Sequence, residues 1–451
     1  MPNINIDNLK HSQVQIKGGG KVIVLDTGSV IGPESAAMLQ ALHSRSIGGL
    51  ESHLKILSEK GPENFMKNFY VGYGHKSIGD CGTASLFIEG VSMLAAKAIQ
   101  DWPLYSGQES STRYIDFQVQ AFKNPLGTKE GENLLEAYRV FYKESLEKTK
   151  EYLKKQFPIQ AGESENIYGK AIAARAFDIL RGFLPAGSTT NLAWHTNLRQ
   201  AADKIALIRH HPLPEVRNIA EAVEKALIMA LPNSFGHQRY QETENYNEHW
   251  MNENYYYHDR NCPDFKLINN SVNTNLLPKK ILESRPIKTE LPKYLAEAGT
   301  LQFEFLLDFG SFRDLQRHRA VTQRMPLITT EMGFENWYLN ELPPELLPKA
   351  QAFLKEQENK FNKLNISKEE KQYYIAMGYN ITNRLTGNLP ALVYLAELRA
   401  TRFVHPTLRK KAKMIASILS ELFGKFGLVI HLDKEMDRFD IKRGEHDIVL
   451  K

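Results

Sequence analysis

Only two cysteines, Cys81 and Cys262, occur in 451 residues. That excludes a disulfide-rich secreted scaffold and a four-cysteine zinc site. Long apolar runs are missing too: nothing approaches the roughly 20 residues of a membrane span, and the richest window, 84–99, carries charge. The opening stretch, MPNINIDNLKHSQ, lacks the apolar centre of a signal peptide. The expectation is a cytoplasmic protein with no membrane partner. Charge of one sign is scarce: 57 Lys+Arg stand against 52 Asp+Glu, a net of +5. Such a balance suits a phosphorylated small molecule as well as a nucleic acid. His210, His211 and His237 have no metal-ligand spacing with partners, so no zinc is expected. Gly18-Gly-Gly20 lacks the helix and lysine of a phosphate loop and reads as a turn into the strand Val22-Ile-Val-Leu25.

What is present is ordinary globular composition, 42% hydrophobic and 24% charged, in a chain too long for one core. The chain also repeats itself. Ala84-Ser-Leu-Phe-Ile-Glu-Gly90 reads as a strand, Ser92 as the cap of a helix through Ile99, and Trp102-Pro103 as its end. Arg113-Tyr-Ile-Asp-Phe117 reads as the next strand. The pattern returns 216 residues later: a strand over Leu301-Gln-Phe-Glu-Phe-Leu-Leu307, a cap at Asp308, and a helix reaching Arg317-His-Arg319. Downstream, Trp194-His-Thr-Asn-Leu-Arg199, a helix to Arg209, His211-Pro212 and a helix over 215–231 correspond to Asn388, a helix to Arg399, His405-Pro406 and a helix to Leu422. From Ile219, the residues Ala222, Val223, Ala226 and Leu227 fall 3, 4, 7 and 8 positions on, a buried helical face. Each half reads as an α+β unit. The stretch 236–285, rich in Asn, Tyr and charge, reads as an ordered connector, and Glu132 to Gln156 as a solvated helix. Cys81, beside an apolar stretch, reads as a small buried hydrophobe.

Two clusters carry chemistry. Ser106-Gly-Gln-Glu-Ser-Ser-Thr-Arg-Tyr114 offers hydroxyls, a carboxylate and a guanidinium suited to a phosphate or carboxylate. Arg317-His-Arg319 places cations at a helix end, where the dipole favours them. Together they resemble the signature of the flavin-dependent thymidylate synthases, the ThyX family: Arg-His-Arg-x-x-Ser-x-Asn-x-x-Ser-x-Arg. The first half has Asp101-Trp102-Pro103 for Arg-His-Arg, then keeps Ser106, Gln108 for Asn, Ser111 and Arg113. The second keeps Arg317, His318 and Arg319, then has Thr322, Arg324, Leu327 and Thr329 at the remaining positions. Each half retains what the other has lost. His75-Lys-Ser-Ile-Gly-Asp80, Arg181-Gly-Phe-Leu-Pro185 and Trp194-His-Thr-Asn-Leu-Arg199 extend the likeness. Asn388 and Arg399 match in the second half, whereas Leu291, Gln372 and Pro390 do not. The glutamine by which the family contacts uracil is replaced by Ala98 and by Asp314.

The resemblance implies an α+β fold of two tandem ThyX-like units, each a small antiparallel sheet with long helices, over 1–235 and 286–451. It implies FAD as cofactor, with NADPH and methylenetetrahydrofolate as co-substrates and dUMP, or a related pyrimidine nucleotide, as the molecule methylated at C5. Arg317, His318, Arg319, Asn197, Arg199 and His75 would hold the flavin. Ser106, Gln108, Glu109, Ser111, Arg113 and Arg181 would hold the nucleotide, with Arg399 or Arg209 as a further cation. No enzyme nucleophile is expected. The complementary losses suggest a composite site joining Arg317-His-Arg319 to the loop from Ser106 to Arg113, in a homodimer that rebuilds the family's tetramer as a pseudo-tetramer. The rival expectation is a catalytically silent or altered relative that binds a nucleotide or nucleic acid in a basic groove.

Overall fold

The computed structural model describes residues 10–25, 32–43, 50–72 and 76–434. Its contacts divide the chain into two compact units, one formed by 1–112 with 189–255, the other by 113–188 with 256–451. The sequence boundaries at 235 and 286 follow the internal repeat. The compact units follow contacts, and the two partitions differ over 113–188 and 236–285.

The first unit is built on an antiparallel sheet of β1 (His11–Gln15), β2 (Lys21–Leu25), β3 (Thr83–Ser92), β4 (Ser106–Glu109) and β5 (Thr189–Asn197), in the order β1-β2-β3-β5-β4. The β1–β2 hairpin closes through Gly18, Gly19 and Gly20, all at positive φ. At Gly20 a Cβ would also meet the Glu89 carbonyl oxygen at 2.3 Å, so only glycine fits. Alternation along β3 buries Ala84, Leu86 and Ile88, the period-2 pattern that made this strand readable. Ser92 then accepts the Ala95 N–H at 3.0 Å and starts the helix Met93–Gln100, buried along its whole length. Asn197 caps Leu198–Ile208 in the same way, and Pro214–Ala230 lies against β1 and β2.

The second unit carries β6 (Phe265–Asn270), β7 (Thr300–Asp308), β8 (Thr322–Gln323) and β9 (Asn380–Asn388), in the order β6-β7-β9-β8. That order repeats β2-β3-β5-β4 of the first sheet. Thr300 pairs with Asn388 as Thr83 pairs with Asn197, and Asn388 again caps the following helix, Leu389–Arg399. Phe303, Phe305, Phe309 and Phe312 fill the core below β7 and the short helix Phe309–Leu315. The α+β class and the small antiparallel sheets with long helices are as the sequence predicts.

One contact recurs with its chemistry exchanged. In the first unit the Ser92 hydroxyl donates to Glu215, the second residue of Pro214–Ala230, at 2.5 Å. In the second, the carboxylate is Asp308 and the donor is the hydroxyl of Thr407, second in Pro406–Phe423, again at 2.5 Å.

Three local expectations change. Arg113 to Phe117 is not a strand. The strand is β4, whose pairing with β5 ends at Glu109; a 3-10 turn, Thr112–Tyr114, follows, and Asp116 turns its carboxylate onto the Gln118 N–H. The stretch 236–285 is ordered and supplies the helix Gln241–Asn254 and the edge strand β6. The helix expected to be solvated runs Lys129–Gln156 and buries Leu134, Tyr138, Phe141 and Leu153 on one face, with Phe141 stacked on Phe353 at 4.6 Å. Its charges occupy the other face, so mixed charge at helical spacing hid a core stripe. Cys81 is half-buried rather than buried. Among the described residues no helix is long and apolar enough to cross a membrane.

Candidate functional site

In the second unit, β7 leads into Phe309–Leu315 through Asp308, whose Oδ2 accepts the Ser311 N–H at 2.8 Å. The helix is short, and its end delivers Arg317, His318 and Arg319 in succession. Arg317 and Arg319 are exposed while His318 between them is buried. His318 Nε2 accepts from Arg399 Nε at 2.7 Å, and the ring meets Tyr394 edge-on at 5.9 Å. Burial first, and Arg399 second, push the imidazole down to about 3. It is therefore neutral at ordinary pH, with Nε2 an acceptor and the proton on Nδ1.

Asp314, which stands where the resemblance places a glutamine, sits among these cations, with Arg317 Nε 3.7 Å from its Oδ1. Burial pushes its carboxyl up, but Arg317, Arg399, Arg181 and Arg313 together hold it below the usual carboxylate range. Arg181, from the first half of the sequence, thus acts on the same carboxylate as Arg317 from the second. Arg113 lies in this unit as well, its Nη2 2.9 Å from both oxygens of Asp178.

Arg181 is buried inside a polar network that sequence reasoning missed. It donates to Ser311 Oγ at 3.2 Å, and its Nε is buried without a hydrogen-bond partner. Burial disfavours its charge, yet Tyr338, Asp178, Asp308 and Asp314 raise its pKa above the usual guanidinium value. Tyr338 donates to Asp308 Oδ2 at 2.7 Å, Ser311 meets Thr407 at 2.7 Å, and His405 Nε2 sits 3.2 Å from the Asp178 carbonyl oxygen. His405 is pushed well below its ordinary value, mainly by burial and then by Arg181. Asp178 stands three residues before Arg181, one turn away on a helix, which was the available sequence signal.

The first unit holds the other motif residues. β4 presents Ser106 and Gln108 outward, with Ser111 half-exposed beyond its end. Gly107 cannot carry a side chain, since a Cβ would lie 2.0 Å from the Ala193 carbonyl oxygen. Glu109 turns inward, where Lys97 Nζ lies 2.6 Å from its Oε2 and Gln100 donates to the same oxygen at 2.9 Å. Asn197 Nδ2 donates to Asp80 at 3.1 Å, and Arg199 Nε lies 3.0 Å from the same Oδ1. The acid of the upstream motif thus holds both; His75 lies outside the described residues. Arg209 sits between Glu244, 3.3 Å from its Nε, and Glu224, 3.8 Å from its Nη1.

Where the second unit has Arg317-His-Arg319, the first has Asp101, Trp102 and Pro103, and a buried lysine bonds this helix end. Lys204 Nζ donates to the carbonyl oxygens of Ala98 and Asp101 at 2.9 and 2.8 Å and lies 5.6 Å from the Trp102 ring. Burial, opposed by Asp101, brings its ammonium down to about 8. Trp102 donates to Gln200 at 2.8 Å. No cation pair is presented to an anion here.

Of the residues expected to bind, the second unit gathers Arg113, Arg181, Arg317, His318, Arg319 and Arg399. The first holds Ser106, Gln108, Glu109, Ser111, Asn197, Arg199 and Arg209. Two exposed arginines on either side of a neutral histidine, one of them 3.7 Å from Asp314, suit a cofactor that carries a diphosphate.

Residues 33–233 match the family described as thymidylate synthase complementing protein, and the resemblance read from the motifs stands over that segment. The chain is 26% identical over 412 residues to a UPF0159 protein of Chlamydia muridarum, covering 77% of each. It is 26% identical over 432 residues to a UPF0159 protein of Chlamydia pneumoniae, covering 80% of each. A UPF0159 protein of Thermoplasma acidophilum is 24% identical over 426 residues, covering 78% of this chain and 85% of that one.

Proposed function

We propose that the protein is a thymidylate synthase-like flavoenzyme that methylates dUMP, or a related pyrimidine nucleotide, at C5. Methylenetetrahydrofolate is the carbon donor, and FAD, reduced by NADPH, is the cofactor. One observation carries this reading. Arg181, supplied by the half that lacks Arg-His-Arg, lies in one compact unit with Arg317, His318 and Arg319 and acts on the Asp314 carboxylate among them.

In this reading Arg317 and Arg319 bind the cofactor's phosphates through charge-assisted hydrogen bonds of about 1.5–3 kcal/mol each. His318, neutral and oriented by Arg399, offers an uncharged ring between them. The flavin, when bound, supplies the hydride that turns the transferred methylene into a methyl group. Arg113, with Ser106, Gln108 and Ser111, takes the nucleotide's anionic end; Glu109 and Arg181 hold that frame in place, and Asn197 and Arg199 complete the cofactor side with His75. The working assembly is a homodimer presenting four units, of which the combinations of Arg317-His-Arg319 with the Ser106–Arg113 loop are competent. Flavin content of purified protein is the test. The wild type is yellow, and Arg317→Ala loses most of its bound FAD; retention of the same stoichiometry in that variant ends the proposal.

A second reading rests on Asp314. An ionised carboxylate stands where the family places a neutral glutamine, which favours a different base or a silent nucleotide-binding protein. Release of deuterium from C5-labelled dUMP by the flavin-loaded protein separates the two: turnover supports the enzyme, and binding without release supports the silent form.

A further inference from the structure

A cavity of about 400 Å³ opens in the second unit, inside the size range of small-molecule sites. The residues that line it are not those assigned above to cofactor or nucleotide. Its walls are polar. Four lining groups are charged, two of each sign: Asp264, Glu335, Lys410 and Lys411. The aromatic wall is Trp337, and it is already packed: the Arg175 guanidinium lies over its ring at 5.0 Å and His405 crosses it at 4.6 Å. An apolar ligand or a stacked base is thus poorly served here.

One charge pair is closed on itself. Lys411 Nζ donates to Asp264 Oδ1 at 2.7 Å and to the Asp264 carbonyl oxygen at 2.8 Å. Glu335 and Lys410 remain, and among the described residues neither forms an ion pair. Glu335 is held in place: its N–H donates to the Gly378 carbonyl oxygen at 2.9 Å, and its Oε1 accepts the Trp337 N–H at 3.2 Å. Its Oε2 accepts no hydrogen bond among the described residues. Burial first, with Asp308 adding to it, pushes this carboxyl up, and the Trp337 N–H, Lys411 and Lys410 offset only part. Asn380, which lines the same cavity, has a buried Oδ1 with no donor, and such an acceptor is costly to leave unmet. Lys410 is exposed, and Pro406 and Thr407 bring the positive end of the helix Pro406–Phe423 to the same space. Unmet acceptors and an unpaired ammonium in one cavity call for a molecule that carries both signs. A bare anion would meet Glu335, and a bare cation would meet Lys410.

We infer that this cavity binds a small zwitterion of the α-amino acid class, its ammonium on the Glu335 and Asn380 acceptors and its carboxylate on Lys410 and the start of Pro406–Phe423. Asn336 and Asn340 line the cavity as well, and their amides suit a polar side chain better than an aliphatic one. The site takes no part in the flavin reading above.

Isothermal titration of the full chain with serine, threonine, asparagine and glutamine tests this. Two relatives of serine serve as controls: ethanolamine keeps the ammonium alone, and 3-hydroxypropionate keeps the carboxylate alone. At least one amino acid binds saturably, and both single-charge controls bind about tenfold or more weakly than it does. Glu335→Gln, which keeps an acceptor for the Trp337 N–H and removes the charge, weakens that amino acid by about tenfold or more. Lys410→Met, at an exposed position where the fold is not at stake, weakens it likewise, and both variants keep the melting temperature of the unliganded wild type. The proposal is overturned if none of the four amino acids binds at millimolar concentration, if either control binds as tightly as the amino acids, or if Lys410→Met binds as tightly as wild type. It is equally overturned if a folded Glu335→Gln binds as tightly as wild type, or if inorganic phosphate binds saturably in a Lys410-dependent way, which would make the cavity an anion site.

Discussion

Lys97→Met tests whether Glu109 is a structural carboxylate or a free ligand group. Both side chains of the pair are essentially inaccessible, 0% for Lys97 and 1% for Glu109, and they meet at 2.6 Å. Removing the ammonium leaves a carboxylate in a dry site, where the Gln100 amide donates to it without neutralising its charge. Breaking one side of such a pair costs about 3–5 kcal/mol, because the desolvation of the survivor is no longer offset. The first unit, 1–112 with 189–255, is of a size at which 1 kcal/mol shifts the melting temperature by roughly 2–4 °C. Its melting transition, followed by differential scanning fluorimetry, should therefore fall by roughly 6–20 °C. Lys97→Met combined with Glu109→Leu should recover most of the loss, since no charge is then stranded. A shift below about 2 °C in the single variant, or no recovery in the double, would refute the reasoning. It would also return Glu109 to the list of groups available to a nucleotide.

Gly107→Ala pushes a methyl group into the Ala193 carbonyl oxygen; β4 should detach, seen as faster amide exchange over 106–109 with little change elsewhere. Gly182→Ala sets a Cβ 2.6–2.8 Å from the Tyr338 ring and should destabilise the second unit by about 1–3 kcal/mol in urea titration; a neutral result means the ring moves freely. The pH response of His318 has a definite sign. Its pKa is about 3 in the folded protein and about 6.5 unfolded, so between those values only the unfolded chain takes the proton. Stability is complete above about pH 6.5 and declines by about 1.4 kcal/mol per unit on acidification towards 3. In denaturant titrations from pH 6.5 to 5, His318→Gln should show a shallower decline of the second unit than wild type; equal slopes would mean that His318 is already protonated in the folded state.

Much of the fold could be read from the chain because its signals are local. The alternation in Thr83–Ser92 and Thr300–Asp308 and the caps at Ser92 and Asp308 each depend on a few neighbouring residues. The failures are non-local. Arg113 to Phe117 has strand-like residues, but whether it pairs depends on where β5 ends. The compact unit that takes in 113–188 is a different kind of division from the repeat, set by contacts hundreds of residues apart in the chain. In the site, Arg317-His-Arg319 was visible as a motif. The network of Asp178, Asp308, Tyr338 and His405 that surrounds Arg181 was not, because apart from Asp178, three residues before Arg181, its members share no spacing and meet only after folding.

The exchanged contact under the two strand ends has a consequence for any attempt to trade parts between the halves. Each long helix is keyed to its own sheet: Glu215 needs the hydroxyl of Ser92, and Thr407 needs the carboxylate of Asp308. Transplanting 214–230 beneath β7 would set two acids at bonding distance in a buried site, where one must take up a proton. The reverse graft would bring two hydroxyls together, which remains tolerable. Shuffling is thus permitted in one direction and penalised in the other, and any stepwise route between the two arrangements runs through the pair of alcohols.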